Sequence, residues 1–191
     1  MEYPVIGFAM CGSFCTFDKV LTQLQDLKTR YPNIVPILSE AGAGTDNRFG
    51  KAADFRRRME DICQAPVLST LTAVEPIGPK KMLDALVIAP CTGNTLAKLA
   101  GGVADTAVTL AAKAHLRNEA PIVVAVSTND GLGGNAQNIG KLLARKHFYF
   151  VPFGQDDAAQ KPCSLVADFD KIADTLSMAL EGRQIQPILL K

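Results

Sequence analysis

The sequence has no C-x-x-C pair, and its five cysteines, Cys11, Cys15, Cys63, Cys91 and Cys163, are odd in number and scattered. That pattern argues against a disulfide framework and against a zinc site, so no metal is expected. Charge of one sign is also missing. Twenty Lys and Arg stand against nineteen Asp and Glu, a formal net charge of +1, which excludes the one-sided basic excess that nucleic-acid binding requires. No apolar run approaches membrane-spanning length, and the start Met1-Glu2-Tyr3-Pro4-Val5 has no basic region ahead of an apolar stretch. Neither a membrane anchor nor a signal peptide is expected, and the chain is expected to stay in the cytoplasm. The first loop, Cys11-Gly12-Ser13-Phe14, lacks the G-x-G-x-x-G fingerprint, which argues against a nicotinamide dinucleotide on this chain. Histidine is scarce: only His115 and His147 are present, and neither falls in a loop motif. Both are expected to be packing or surface residues rather than acid–base groups.

What is present is a core. With 48% hydrophobic residues over 191 positions, the chain is the right size for one domain spanning 1–191. Short apolar runs alternate with helical periodicity. The pattern predicts a strand over 5–10, a helix over 17–31 with Val20, Leu21, Leu24 and Leu27 on one face, and a strand over 34–38. A helix follows over 48–63, then a strand over 83–89 stopped by Pro90, and helices across 95–118. A strand over 121–126, a helix over 138–145, a strand over 148–152 and a C-terminal helix over 168–181 complete the pattern. Strands separated by helices imply right-handed crossovers, hence an α/β fold: a three-layer, Rossmann-like parallel sheet with helices on both faces. Arg56-Arg57-Arg58 and Lys80-Lys81 read as solvated faces.

In such sheets ligands bind outside the carboxyl ends of the strands, and four polar segments fall there. Gly12 and Ser13 follow the first strand and offer N–H and hydroxyl donors to a phosphate, with Ser39 after the second strand. Pro90, Thr92, Asn94 and Thr95 form the turn after the middle strand, and Ser127, Asn129 and Asp130 follow the next. The same residue types are also what turns and helix caps use. Asn94 is the first candidate for chemistry, since an amide can donate to a carboxylate without a charge of its own to desolvate. Asp130 is a candidate proton acceptor, provided that burial raises its pKa.

The turn Pro90-Cys91-Thr92-Gly93-Asn94-Thr95 resembles the Pro-Ala-Ser-Ala-Asn-Thr signature of the flavoproteins related to phosphopantothenoylcysteine decarboxylase. A second resemblance covers nearly the whole chain. Ala112 to Asn118, Ala125 to Gly133 and Tyr149 to Asp156 are similar to the family of B-type subunits of dipicolinate synthase. These resemblances imply FMN lying against the 90–95 turn, its phosphate held by Gly12-Ser13 and Ser39, and Asn94 contacting a substrate carboxylate. They also imply a trimer-based homo-oligomer, an A-type dipicolinate synthase subunit as the partner that carries NAD(P), and a small dicarboxylate substrate. The implied reaction, during sporulation, is oxidation of a dihydro- or tetrahydrodipicolinate precursor to pyridine-2,6-dicarboxylate on the lysine branch. The chain departs from the decarboxylases in two places: the stretch Asp61 to Lys81 contains no histidine, and Ser127 to Gly134 replaces their Pro-x-Met-Asn-x-x-Met-Trp clamp. Cysteine decarboxylation is therefore disfavoured. Two alternatives stand beside the oxidoreductase reading: a non-catalytic module that completes the A-type partner, and a flavin-dependent decarboxylase.

Overall fold

The computed structural model describes residues 3–190. The opening unit forms as the pattern predicts: β1 (Val5–Met10), α1 (Phe17–Arg30) and β2 (Asn33–Leu38). Val20, Leu21, Leu24 and Leu27 recur every three or four residues, and α1 buries that stripe. Further along the chain come α2 (Glu40–Gly44), α3 (Ala52–Cys63) and α4 (Leu71–Val74). The middle of the chain forms β3 (Ala85–Cys91), α5 (Gly93–Gly101), α6 (Ala107–Leu116) and β4 (Ile122–Thr128). The last part forms α7 (Ala136–Leu143), three short strands β5 (Phe148–Phe150), β6 (Phe153–Gln155) and β7 (Leu165–Ala167), and α8 (Ile172–Leu180).

Strands β2, β1, β3, β4 and β5 pair in parallel. Every residue of β3 is buried, as expected of a strand covered on both faces. Helix α1 packs beside α3 and α8, and α5 packs beside α6 and α7, giving helices on both sides. The sheet is mixed rather than wholly parallel. Beyond Val126, β4 turns from β5 to pair antiparallel with β7 through Ser127 and Thr128, and β6 extends that branch. The three-residue strands β6 and β7 carry too little periodicity to show in the sequence.

Several boundaries differ from the pattern, three of them for evident local reasons. Pro90 does not end β3; the register shifts between Ile88 and Cys91, and the Pro90 carbonyl accepts from the Cys11 N–H at 3.2 Å. A proline tolerated at such an irregularity loses no ladder donor that the strand needs. Helix α3 starts at Ala52 rather than at 48, because residues 47–50 close a tight turn in which Asn47 and Gly50 exchange backbone hydrogen bonds of 3.0 and 3.1 Å. Gly50 has φ of +153° there, a conformation that favours glycine. The helical stretch across 95–118 is two helices, because Gly102 ends α5 in the left-handed conformation and Thr106 begins α6 with a reciprocal capping box to Thr109.

His115 is fully buried, a packing residue as expected. Its Nε2 lies 3.1 Å from the Pro121 carbonyl, so this nitrogen carries the proton and donates. Nδ1 has no partner. Burial holds the His115 pKa below its ordinary value. The folded chain thus keeps His115 neutral while the unfolded chain takes up a proton below about pH 6.5. More protons are bound when unfolded, so stability falls as pH drops through that region. Thermal melting from pH 7.5 to 5.5 is expected to show a decline in Tm that is shallower in His115→Gln; equal slopes in both proteins would contradict this assignment.

Candidate functional site

The carboxyl ends of β1, β3 and β4 open into a cleft of about 950 Å³, within the size range of cofactor sites, roughly 300–1,000 Å³. Each strand end contributes differently. After β1, Gly12 and Ser13 pass into a 3-10 turn, Phe14–Thr16, that leads directly into α1. The first N–H groups of such a turn precede any intrahelical acceptor and are available to a ligand. The Ser13 hydroxyl lies 2.8 Å from the Ser127 hydroxyl at the end of β4. Two strands two places apart in the sheet are thereby joined at one polar point facing the cleft.

After β3, Thr92 caps α5 by accepting from the Thr95 N–H at 3.4 Å. Thr95 is buried; its Oγ1 lies 3.1 Å from the Thr92 hydroxyl and donates to Cys11 Sγ at 3.3 Å. Burial pushes the Cys11 thiol up to about 11 and raises Cys91 well above its usual value. Both are protonated at neutral pH and are not nucleophiles. Gly93, which lines the cleft, is required by close approach. A Cβ there would meet Asn135 Nδ2 at 2.5 Å and Thr128 Oγ1 at 2.6 Å.

The group that presses on Gly93 is a lock around Asp130. Its Oδ1 accepts from Thr128 Oγ1 at 2.5 Å, and its Oδ2 from Asn135 Nδ2 at 2.8 Å. These bonds, that from Thr128 first, hold the Asp130 carboxyl below the ordinary carboxylate range. Asp130 is also exposed. The burial that would make it a base is absent, so the expectation of a proton acceptor here is corrected: Asp130 organises the loop after β4.

The remaining expected residues divide. Gly12, Ser13, Thr92, Ser127 and Asn129 line the cleft. Asn94 is exposed on the first turn of α5, beside the cleft rather than in its wall. Ser39 is buried, and its hydroxyl caps α2 by accepting from the Gly42 N–H at 3.2 Å. Pro90 is buried in β3. The outer walls left no signal in the sequence. One is the turn carrying Arg48 and Phe49; the other is the segment from Asp156 to Asp170 that follows β6 and includes Lys161. No metal-holding group of three His, Cys, Asp or Glu occurs among the described residues, and no described helix is long and apolar enough to cross a membrane.

The profile of the family described as Flavoprotein matches residues 2–175. The B-type subunit of dipicolinate synthase from Bacillus subtilis (strain 168) is 41% identical over 186 residues, covering 97% of this chain and 93% of that protein. The chain belongs to the flavoprotein family, in its branch of B-type dipicolinate synthase subunits. The crystal structure of the corresponding dipicolinate synthase subunit from Bacillus halodurans superposes with a TM-score of 0.91 at 40% identity, covering 100% of this chain and 99% of that one. The FMN-dependent cysteine decarboxylase SpaF shares the fold at 22% identity, with a TM-score of 0.66 over 92% of this chain and 97% of that one. For a member of this family, the cleft can be tested against a flavin mononucleotide. Hydroxyl donors at Ser13 and Ser127, free N–H groups at two helix starts and the cation Lys19 on the wall suit a phosphate-bearing ligand. The donor set fits.

Proposed function

We propose that this chain, as one flavoprotein-like unit of residues 1–191, binds FMN in the cleft and serves as the flavin-associated subunit of a dipicolinate synthase. The observation that carries the reading is the convergence of Ser13 and Ser127, 2.8 Å apart, in the lining of a cleft of about 950 Å³. Ser13, Gly12 and the N–H groups of the 3-10 turn hold the phosphate. Thr92 and the start of α5 line the ring side. A bound flavin supplies a two-electron hydride acceptor, which suffices to aromatise a dihydrodipicolinate, or a hydroxy-tetrahydrodipicolinate once it has lost water, to pyridine-2,6-dicarboxylate. The residues of this chain bind and orient: Asn94 donates its amide to a substrate carboxylate, and the Asp130 lock keeps the β4 loop in place. The partner is the A-type dipicolinate synthase subunit, which carries NAD(P); the homo-oligomer is trimer-based, and the setting is the cytoplasm of a sporulating cell.

A second reading has its own support. No histidine lines the cleft among the described residues, and Asp130 beside it is held as a carboxylate. That favours a chain which binds and positions while the A-type partner provides the redox step. Reconstitution separates the two. Dipicolinate formation, followed by ultraviolet absorbance, is expected to require both proteins and to fall at least tenfold when this chain is supplied without FMN. Equal rates with and without FMN would transfer the redox step to the A-type partner, and full activity of that partner alone would remove the assignment.

A further inference from the structure

We propose that Arg48 and Phe49 form an outer clamp that grips a planar, carboxylate-bearing ring entering the cleft. The inference rests on the reading of the cleft as the ligand site and assigns the substrate side of it. The turn that carries the two residues is built to be rigid. Asn47 and Gly50 exchange backbone hydrogen bonds, the Phe49 N–H donates to Asn47 Oδ1 at 2.9 Å, and Asp46 Oδ1 accepts from the Ala52 N–H at 2.9 Å. Beneath it, Gly50 sits so close to Phe55 that an added Cβ would lie 2.9 Å from the ring. Phe55 stacks edge-on against Phe17 at 4.9 Å, and Phe17 against Phe14, itself part of the cleft wall, at 5.1 Å.

So firm a turn would not need an exposed aromatic at its tip. Phe49 is 45% exposed, faces the cleft, and carries the Arg48 guanidinium 4.8 Å from its ring centroid. Stacking of this kind fixes the plane of the guanidinium and leaves its N–H edge to bind a carboxylate in two-point fashion. The charges of the cleft are arranged to leave that edge free. Asp156 is paired with Lys161 at 2.8 Å, Asp168 caps the turn after β7 by accepting from the Asp170 N–H, and Asp170 accepts from Gln23 at 2.7 Å. Arg48 has no carboxylate partner among the described residues. The result is a cationic edge above an apolar face, which suits a flat ring bearing an acid group and disfavours an uncharged ring of the same shape.

The test is equilibrium titration of the FMN-loaded chain with pyridine-2,6-dicarboxylate, with pyridine-2,6-dicarboxamide as the uncharged control, in wild type, Arg48→Gln and Arg48→Lys. The wild type is expected to prefer the dicarboxylate by at least tenfold. Arg48→Gln is expected to lose that preference while FMN affinity stays within about twofold. Arg48→Lys should recover only part of it, because an ammonium cannot present two coplanar N–H groups. Undiminished preference in Arg48→Gln, or no preference in the wild type, overturns the clamp. Loss of FMN affinity in Arg48→Gln also overturns it, by placing Arg48 on the phosphate. Failure of the wild type to take up FMN at all strikes the cleft assignment instead.

Discussion

Ser13→Asp is expected to weaken FMN binding by roughly thirty- to a thousandfold while leaving riboflavin binding within about a few-fold of wild type. Ser13 begins the turn after β1 and touches Ser127 at 2.8 Å, so an aspartate there puts a carboxylate where the phosphate is proposed to sit. Two unit charges about 4 Å apart repel by roughly 4 kcal/mol at the effective dielectric constant of a protein surface. Screening reduces this, and about half of it still amounts to well over tenfold; the full value approaches a thousandfold. Riboflavin lacks the phosphate and escapes the repulsion. The Ser13 side chain is only partly buried, so Tm should change by no more than a few degrees. Fluorescence titration with both ligands reads the result. Equal losses for FMN and riboflavin would place the defect in the fold and not in a phosphate contact.

Asn94→Ala is expected to lower dipicolinate formation by the two-subunit enzyme by roughly ten- to a hundredfold. Losing a hydrogen bond to a charged group costs about 1.5–3 kcal/mol. The structural cost is small. Asn94 is exposed on the first turn of α5, and the cap of that helix is Thr92, not Asn94. Truncation should leave the melting curve within a degree or two of wild type and FMN affinity unchanged. Wild-type turnover in the variant would make Asn94 an ordinary surface residue and pass the chemistry to the partner protein.

The parallel half of the fold was legible because its signals are strong and local. A six-residue apolar strand, an amphipathic helix with Leu24 and Leu27 in step, and another short strand have few other solutions. The cleft floor was legible for the same reason: polar turns after β1, β3 and β4 must meet at the carboxyl ends of neighbouring strands. The walls were not legible. Phe153–Gln155 and Leu165–Ala167 are strands only because each finds a neighbour in the branch that leaves β4 at Ser127, and a pairing between distant short segments leaves no periodic trace. Arg48 and Phe49 belonged by pattern to a helix, and it is the hydrogen-bonded turn at Asn47 that detaches them and carries them to the cleft. Ser39 differs: its residue type and position suited a phosphate ligand, and its buried hydroxyl, outside the residues that line the cleft, caps α2 by accepting from Gly42. Asp130 fails as a base for a related reason, since the loop that brings it near the cleft also supplies Thr128 and Asn135 to stabilise its charge.

The central claim, that the cleft at the ends of β1, β3 and β4 is a flavin site, is tested most directly by titrating FMN into the purified wild-type chain and following the oxidised-flavin absorbance and fluorescence. Saturable binding of one FMN per chain, with riboflavin binding more weakly and inorganic phosphate competing, is the predicted result. No binding of FMN at millimolar concentration, or equal affinity for FMN and riboflavin, would contradict it.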